Sequence, residues 1–416
     1  MSAPATAPLR ALPPYKTVAA ALRKTTEVLA REVVHPSESA PDWNELEWAV
    51  ARSVAAMQGI TMLLANRLRW RGPPSWEAFL AQQREQSLLR HALIGRLLDR
   101  VDSAARTAAL SCVALKGSAL RALGLYEPGE RPMGDVDLLV DPSGSDAAAA
   151  VMRRLDYEQT SVAPRHATYE PREREAAAEL GEHPANPLAI EVHTRVAEAL
   201  PVDNVDITTH LRAASASPGL SSYPSLAALL LHLLLHAAGN MKAHALRQIQ
   251  LHDIALLSER LAESDWQTLL ELARDGAGLW WAFPPLAMTL RYYDCAVPTE
   301  LRRSVRANCP RLLRRVSERH DLTEVSWSNL RISAFPGIAW SRSPSDVLRY
   351  ARSRALPKRD TLELLRSSLE RHPQMRRVHW YQLSQGRRIA RWLLSRPPRV
   401  QTITSVAAAL RESYET

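Results

Sequence analysis

Residues 134–140, Gly-Asp-Val-Asp-Leu-Leu-Val, place the tightest constraint on what this chain can fold into. Successive side chains of a strand point to opposite faces, so Asp135 and Asp137 stand on one side, a few ångströms apart. Val136, Leu138 and Leu139 root that strand in a core, while the Pro and Gly residues at 128–134 leave its start near the surface. Two like charges held this close are stable beside a cation. Hard divalent ions such as Mg²⁺ take oxygen ligands and are usually held by one or two carboxylates together with substrate phosphates. On its own, an Asp-x-Asp pair equally describes two solvated acids at a sheet edge.

The neighbouring sequence adds to the pair. Residues 188–193 read as a second strand, on which Glu191 shares a face with Ala189 and His193 and lies opposite apolar Ile190 and Val192. Set beside the first strand, it brings three carboxylates together. Upstream, the apolar run 110–115 ends at Lys116-Gly117-Ser118 and passes into a helical segment at 119–125, giving strand, tight turn and helix. Free backbone N–H groups of Gly117 and Ser118 at a helix start suit phosphate oxygens. The bland alternative is an ordinary turn with Ser118 as an N-cap.

The rest of the chain is dominated by helical periodicity. Apolar residues at three- and four-residue spacing run through 15–34, 42–72 and 75–105, punctuated by Pro41 and by Gly72-Pro73-Pro74. A helix is expected at 145–154. The polar insertion 163–187 carries Pro164, Pro171, Pro184 and Pro187, with a charged helix near 172–180. Within it, His166 and Tyr169 either approach the substrate or belong to a surface loop. Helices follow at 225–238, 243–260, 265–274, 278–292 and 298–316. The expected organisation is a disordered lead-in (1–14), an N-terminal helical region (15–108), an α/β core (109–215), a C-terminal helical domain (216–340) and an Arg-rich helical tail (341–416). His232 and His236, spaced i, i+4, read as packed or capping histidines on a mostly buried helix rather than as a metal pair.

Charge and cysteine content narrow the setting. The formal charge is +9, but residues 341–416 hold 16 Lys and Arg against 6 Asp and Glu, leaving the first 340 residues at −1. An Arg-rich appendix on a near-neutral body points to a local docking surface for RNA, an acidic partner or anionic lipid. Within it, 386–396 forms a short basic amphipathic piece. Cys112, Cys295 and Cys309 suit neither a disulfide framework nor a zinc knuckle, so a reducing, cytoplasmic setting is expected. No signal-peptide h-region and no transmembrane segment are expected.

The segments Leu-Lys-Gly-Ser-Ala-Leu at 115–120, Leu125-Tyr126, Arg131, 134–140 and Ile-Glu-Val-His at 190–193 resemble, in content and in order, an uncharacterised bacterial nucleotidyltransferase family of the DNA polymerase β-like superfamily. The resemblance spans about residues 45–320 and is strongest between 113 and 193. It implies an α+β fold: a polymerase β-like nucleotidyltransferase core with a small mixed sheet, flanked by N-terminal helices and a C-terminal helical domain. It also implies an enzyme that moves a nucleoside monophosphate from an NTP such as ATP to a hydroxyl acceptor, using two divalent cations, Mg²⁺ or Mn²⁺. Carried onto this chain, the resemblance gives Asp135, Asp137 and Glu191 the metal-ligand role, Glu191 also helping to deprotonate the acceptor. Gly117 and Ser118 take the phosphate role, and Lys116 and Arg131 neutralise charge. His236, Arg247 and Asp253 resemble a polar trio of the same family. The acceptor it leaves open is a small molecule, a natural product, a peptide or protein, or an RNA end. Two further readings stand beside this one: a non-catalytic nucleotide- or partner-binding member of the fold, and an RNA-directed toxin-like transferase. The gap between Ser118 and Asp135 is longer than the superfamily's usual spacing.

Overall fold

The computed structural model describes residues 13–356, except 164, 174–179, 213–216, 276–277 and 328–335, together with 384, 386, 387, 390, 406, 409 and 410. Its strands are β1 (Ser111–Ala114), β2 (Asp135–Val140), β3 (Tyr157–Val162), β4 (His166–Pro171), β5 (Ala189–His193), β6 (Ala197–Ala199), β7 (Asn204–Asp206) and β8 (Gly219–Ser221). Six of them form one mixed sheet in the order β3-β4-β5-β2-β1-β8, and β6 and β7 form a separate hairpin. The expected strands 110–115, 135–140 and 188–193 are all present, with β2 at the centre, parallel to β5 and antiparallel to β1.

Alternation along β2 and β5 gives the sheet two different faces. Val136, Leu138, Val140, Ile190 and Val192 point to one side and are buried with Ile94, Leu97, Val101, Val151 and Met152. These partners lie on α4 (Pro74–Thr107) and α6 (Ser145–Arg154). The other face carries Leu139, which joins the helices that follow the sheet, and the acidic residues.

Before the sheet comes α1 (Tyr15–Val34), as the periodicity predicts, whereas the expected stretch 42–72 is two helices, α2 (Glu45–Gln58) and α3 (Thr61–Arg67). Asn44 and Glu47 form a capping box at the start of α2. Gly59 closes it at φ +69°, and α3 leaves at 112° to α2. A side chain at 59 would also crowd Arg247 Nη2. The long helix α4 begins at Pro73-Pro74 and serves two cores: Trp76, Phe79 and Leu80 pack with α1–α3, and its later turns pack behind the sheet. Asp102 on α4 accepts the Leu220 N–H at 2.7 Å, tying edge strand β8 to the helix. Val406 and Ala409 are buried among the N-terminal helices, and Arg52 Nη2 donates to the Ala409 carbonyl at 2.6 Å.

Around and after the sheet lie α5 (Gly117–Ala122), α7 (Thr208–Leu211), α8 (Leu226–Ala243), α9 (Gln248–Ser258), α10 (Glu263–Arg274), α11 (Phe283–Tyr292), α12 (Thr299–Asn308), α13 (Arg311–Ser317), α14 (Leu322–Ser326), α15 (Pro336–Ala339) and α16 (Pro344–Ala355). Among the described residues, α8 is the one single helix long and apolar enough to cross a membrane. Two-thirds of it is buried inside the protein, as a core helix would be.

Two further expectations need correction. The polar insertion is part of the sheet: β3 and β4 form an antiparallel hairpin, and β4 pairs with β5. Residues 158–161 are Glu-Gln-Thr-Ser, the composition of an exposed edge strand with little apolar alternation to announce it. The single helix expected at 298–316 is two helices, because Pro310 cannot continue α12 and instead caps α13. Most of the charged helix read near 172–180, most of the lead-in, and the basic piece 386–396 apart from three residues lie outside the described residues.

The packing predicts a contrast on two helices. Leu230→Ala, at a fully buried position on α8, is expected to cost about 2–5 kcal/mol. Leu348→Ala, at a position 71% exposed on α16, should stay within about 0.5 kcal/mol. Equilibrium urea unfolding of the two variants checks both.

Candidate active site

Strand register builds the site. The parallel β2–β5 ladder sets Asp135 opposite Ala189 and Asp137 opposite Glu191, and the antiparallel β4–β5 ladder sets Thr168 opposite Glu191 and His166 opposite His193. With a period of two, Asp135, Asp137, Glu191, His193 and His166 share one face. The carboxylates of Asp135, Asp137 and Glu191 offer oxygens within 4.8 Å of one another, so the three acids predicted from sequence do converge.

Asp137 is the innermost, with 4% of its surface exposed. Lys116 Nζ donates to its Oδ1 at 2.9 Å, and His193 Nε2 lies 2.9 Å from the same oxygen and 3.4 Å from Glu191 Oε2. Burial works to raise the Asp137 carboxyl, but the Lys116 ammonium and the His193 contact outweigh it and hold it below the usual carboxylate range. Asp135 makes no such direct contact among the described residues, and burial with Asp137 alongside pushes it up to about 6 against the pull of Lys116. The hydrogen bond from His193 lowers Glu191. Burial disfavours the charged forms of His193 and Lys116, yet the adjoining carboxylates raise both above their ordinary values. An oxygen-rich trio whose outer member is strained toward its neutral form suits a hard divalent cation, which would relieve that repulsion.

The Lys116-Gly117-Ser118 turn reaches the acids because Leu115 N–H donates to the Asp137 carbonyl at 2.9 Å. Lys116 has φ +47°, a left-handed conformation that a side chain adopts at a cost of about 1–3 kcal/mol. Buried groups hold it there. The Lys116 N–H donates to Tyr223 Oη at 3.1 Å, and Tyr223 Oη donates to His232 Nδ1 at 2.6 Å. Burial pushes the Tyr223 hydroxyl up and His232 well down, leaving a neutral phenol donor and a neutral imidazole acceptor.

Gly117 is required by Arg131, since a Cβ at 117 would collide with Arg131 Nη1. Arg131 grips Asp253 with Nε to Oδ1 at 2.8 Å and Nη2 to Oδ2 at 2.7 Å, and Tyr126 Oη donates to the same carboxylate at 2.6 Å. A cavity of about 200 Å³ adjoins this turn, lined by His91, Gly117, Arg121, Tyr126, Arg131 and Met133 among others.

The seven predicted residues therefore gather around two linked centres, with partners that local pattern did not show. Lys116 and Arg131, expected to face phosphate, are paired with Asp137 and Asp253. The Ser118 N–H, read as free, donates to the Leu115 carbonyl at 3.1 Å because the turn closes on itself. Ser118 Oγ is buried without a partner among the described residues. The polar trio is not assembled as such: Asp253 binds Arg131, Arg247 Nε donates to the Met57 carbonyl, and His236 Nε2 contacts Asn240. Tyr169 is buried behind the sheet, whereas His166 Nε2 comes within 3.9 Å of Glu191. The sequence reading missed the roles of His193, Tyr223 and His232. The Glu-x-His spacing was the available signal for the first; the other two act through contacts with no local signature.

The mixed sheet, the flanking helices and the acid trio beside a Lys-Gly-Ser turn agree with a comparison against known families. The chain belongs to a family of uncharacterised nucleotidyltransferases, which matches residues 44–282 and so takes in the sheet, the acid trio and the Lys-Gly-Ser turn. No curated protein and no solved structure matches it.

Removing the Asp253 carboxylate leaves the Arg131 guanidinium buried without its counter-ion. Asp253→Ala is expected to destabilise the protein by about 3–5 kcal/mol, read as a lowered urea midpoint at unchanged m-value.

Proposed function

We propose that this protein is a divalent-cation-dependent nucleotidyltransferase with a polymerase β-like core. It would transfer a nucleoside monophosphate from an NTP to a hydroxyl group on a small molecule, a natural product, or a peptide or protein. The observation that carries the reading is the convergence of Asp135, Asp137 and Glu191, from two adjacent parallel strands, beside the Lys116-Gly117-Ser118 turn.

In this reading the three acids hold Mg²⁺ or Mn²⁺. Such a cation, when bound, neutralises phosphate oxygens and makes an acceptor hydroxyl easier to deprotonate. The chain's own residues do the rest. Gly117 leaves room for phosphate oxygens against the backbone, and Lys116 and Arg131 flank the turn with positive charge. Ser118 Oγ, buried and without a partner among the described residues, would reach a phosphate oxygen only if the turn opens. Glu191, its side chain a quarter exposed, is the acid that would take the acceptor proton. The acceptor oxygen then bonds to the α-phosphorus as the bond to pyrophosphate breaks, a displacement governed by positioning and charge neutralisation.

One observation favours a second reading, a non-catalytic nucleotide- or partner-binding protein: Lys116 and His193 already satisfy Asp137 without a cation. Thermal shifts of the wild type and Asp137→Asn with each of the four NTPs, with and without Mg²⁺, separate the two. A ligand at about 100 times its Kd adds roughly 2.7 kcal/mol of stability, enough to see. Transfer predicts a Mg²⁺-dependent rise with a preferred NTP that the variant lacks. An equal rise in both proteins, indifferent to Mg²⁺, would favour binding alone. A folded protein that responds to no NTP would sink transfer from an NTP and nucleotide binding alike, and leave partner binding or an unusual donor.

A further inference from the structure

Beyond the acid trio, the same sheet face carries a second set of donors with different chemistry. His166 on β4 and His193 on β5 are directly opposed in the antiparallel ladder, their ring centroids 5.0 Å apart, and Glu191 is two residues from His193 on the same face. His193 Nε2 lies 3.4 Å from Glu191 Oε2 and His166 Nε2 lies 3.9 Å from Glu191 Oε1. Each of the three residues offers a ligand atom within 4.8 Å of the others.

These separations are close to what a small cation imposes. Bonds of roughly 2.0–2.1 Å in a tetrahedral site leave ligand atoms roughly 3.3–3.4 Å apart, so the His193–Glu191 pair is already at that spacing and His166 needs to close by about half an ångström. Its Nδ1 is buried with no hydrogen-bond partner among the described residues, so closing that distance breaks no bond to that nitrogen. The three side chains are 13–25% exposed, open enough for an ion to enter and sheltered enough to hold it. The donor set also decides the ion. Imidazole nitrogen is a poor ligand for Mg²⁺ and a good one for Zn²⁺ or Co²⁺, and two imidazoles with one carboxylate leave a tetrahedral ion one open position.

We propose that His166, Glu191 and His193 form a binding site for a Zn²⁺-type cation, separate in chemistry from the Asp135–Asp137 pair and joined to it through Glu191 and through His193, whose Nε2 also lies 2.9 Å from Asp137 Oδ1. Loading of the nitrogen site therefore draws on the carboxylate that the hard-cation site also uses and takes His193 from Asp137. The proposal does not depend on nucleotide transfer, because it is read with metal alone.

The test uses the full chain, stripped with a chelator and titrated in millimolar Mg²⁺ without nucleotide. Co²⁺ is followed by its visible ligand-field absorption, and Zn²⁺ by calorimetry and by displacement of Co²⁺. The expected result is one Zn²⁺ per chain that Mg²⁺ does not displace. His166→Gln should weaken it at least about tenfold, the scale set by loss of even an outer-shell partner. His166→Cys should restore it and add a thiolate band to the Co²⁺ spectrum. Melting temperatures without metal, matched to the wild type, show that each variant is folded. Zn²⁺ held equally by wild type and His166→Gln, or lost in Asp135→Asn but not in His166→Gln, would place the ion on the carboxylates and overturn the proposal. So would Zn²⁺ binding no tighter than Mg²⁺.

Discussion

The buried carboxylate of Asp137 is the constraint on which the centre of this protein depends. An acid this enclosed is tolerable only with compensating charge and hydrogen bonds, and the compensation comes from different elements: Lys116 before α5 and His193 at the end of β5. Satisfying one oxygen therefore fixes the turn after β1, the central strand and its parallel neighbour relative to each other. Apolar packing behind the sheet positions the strands in depth. The ion pairs in front set what those strands present.

Buried polar groups behind the turn explain some otherwise odd residues on the Leu-rich helices. His232 sits in a run of leucines on α8, where it accepts from Tyr223, which in turn holds the backbone of Lys116. Asp253 on α9, 1% exposed, holds Arg131 against Gly117. In each case the helical region supplies a polar side chain that reaches back to the turn beside the acids. Fully satisfied networks of this kind are rigid, and half-satisfied ones are costly, so the helices after the sheet are a structural part of the site.

Much of this was legible in the sequence, and the limits follow from range. β1, β2 and β5 declare themselves because acidic or polar positions alternate with Val, Ile and Leu, and the same alternation places Asp135, Asp137 and Glu191 on one face. The hairpin of β3 and β4 does not, since Glu158, Gln159, Thr160 and Ser161 lack an apolar face. His166 reaches Glu191 only through the pairing of that hairpin with β5. Arg131 and Asp253 are 122 residues apart, and no local pattern announces that they meet. Residue types and their faces come from short-range periodicity, whereas partners come from how strands and helices dock.

The bond between Arg52 and Ala409 joins residues 357 positions apart. At about 5–20 residues per second, a ribosome releases the helix bearing Arg52 roughly 20–70 s before the segment that covers it. For that interval Val50, Val54 and their neighbours lack the cover of Val406 and Ala409, so the N-terminal helices are made early and finished late. A stall in translation between the two events would lengthen the time for which that apolar surface is uncovered.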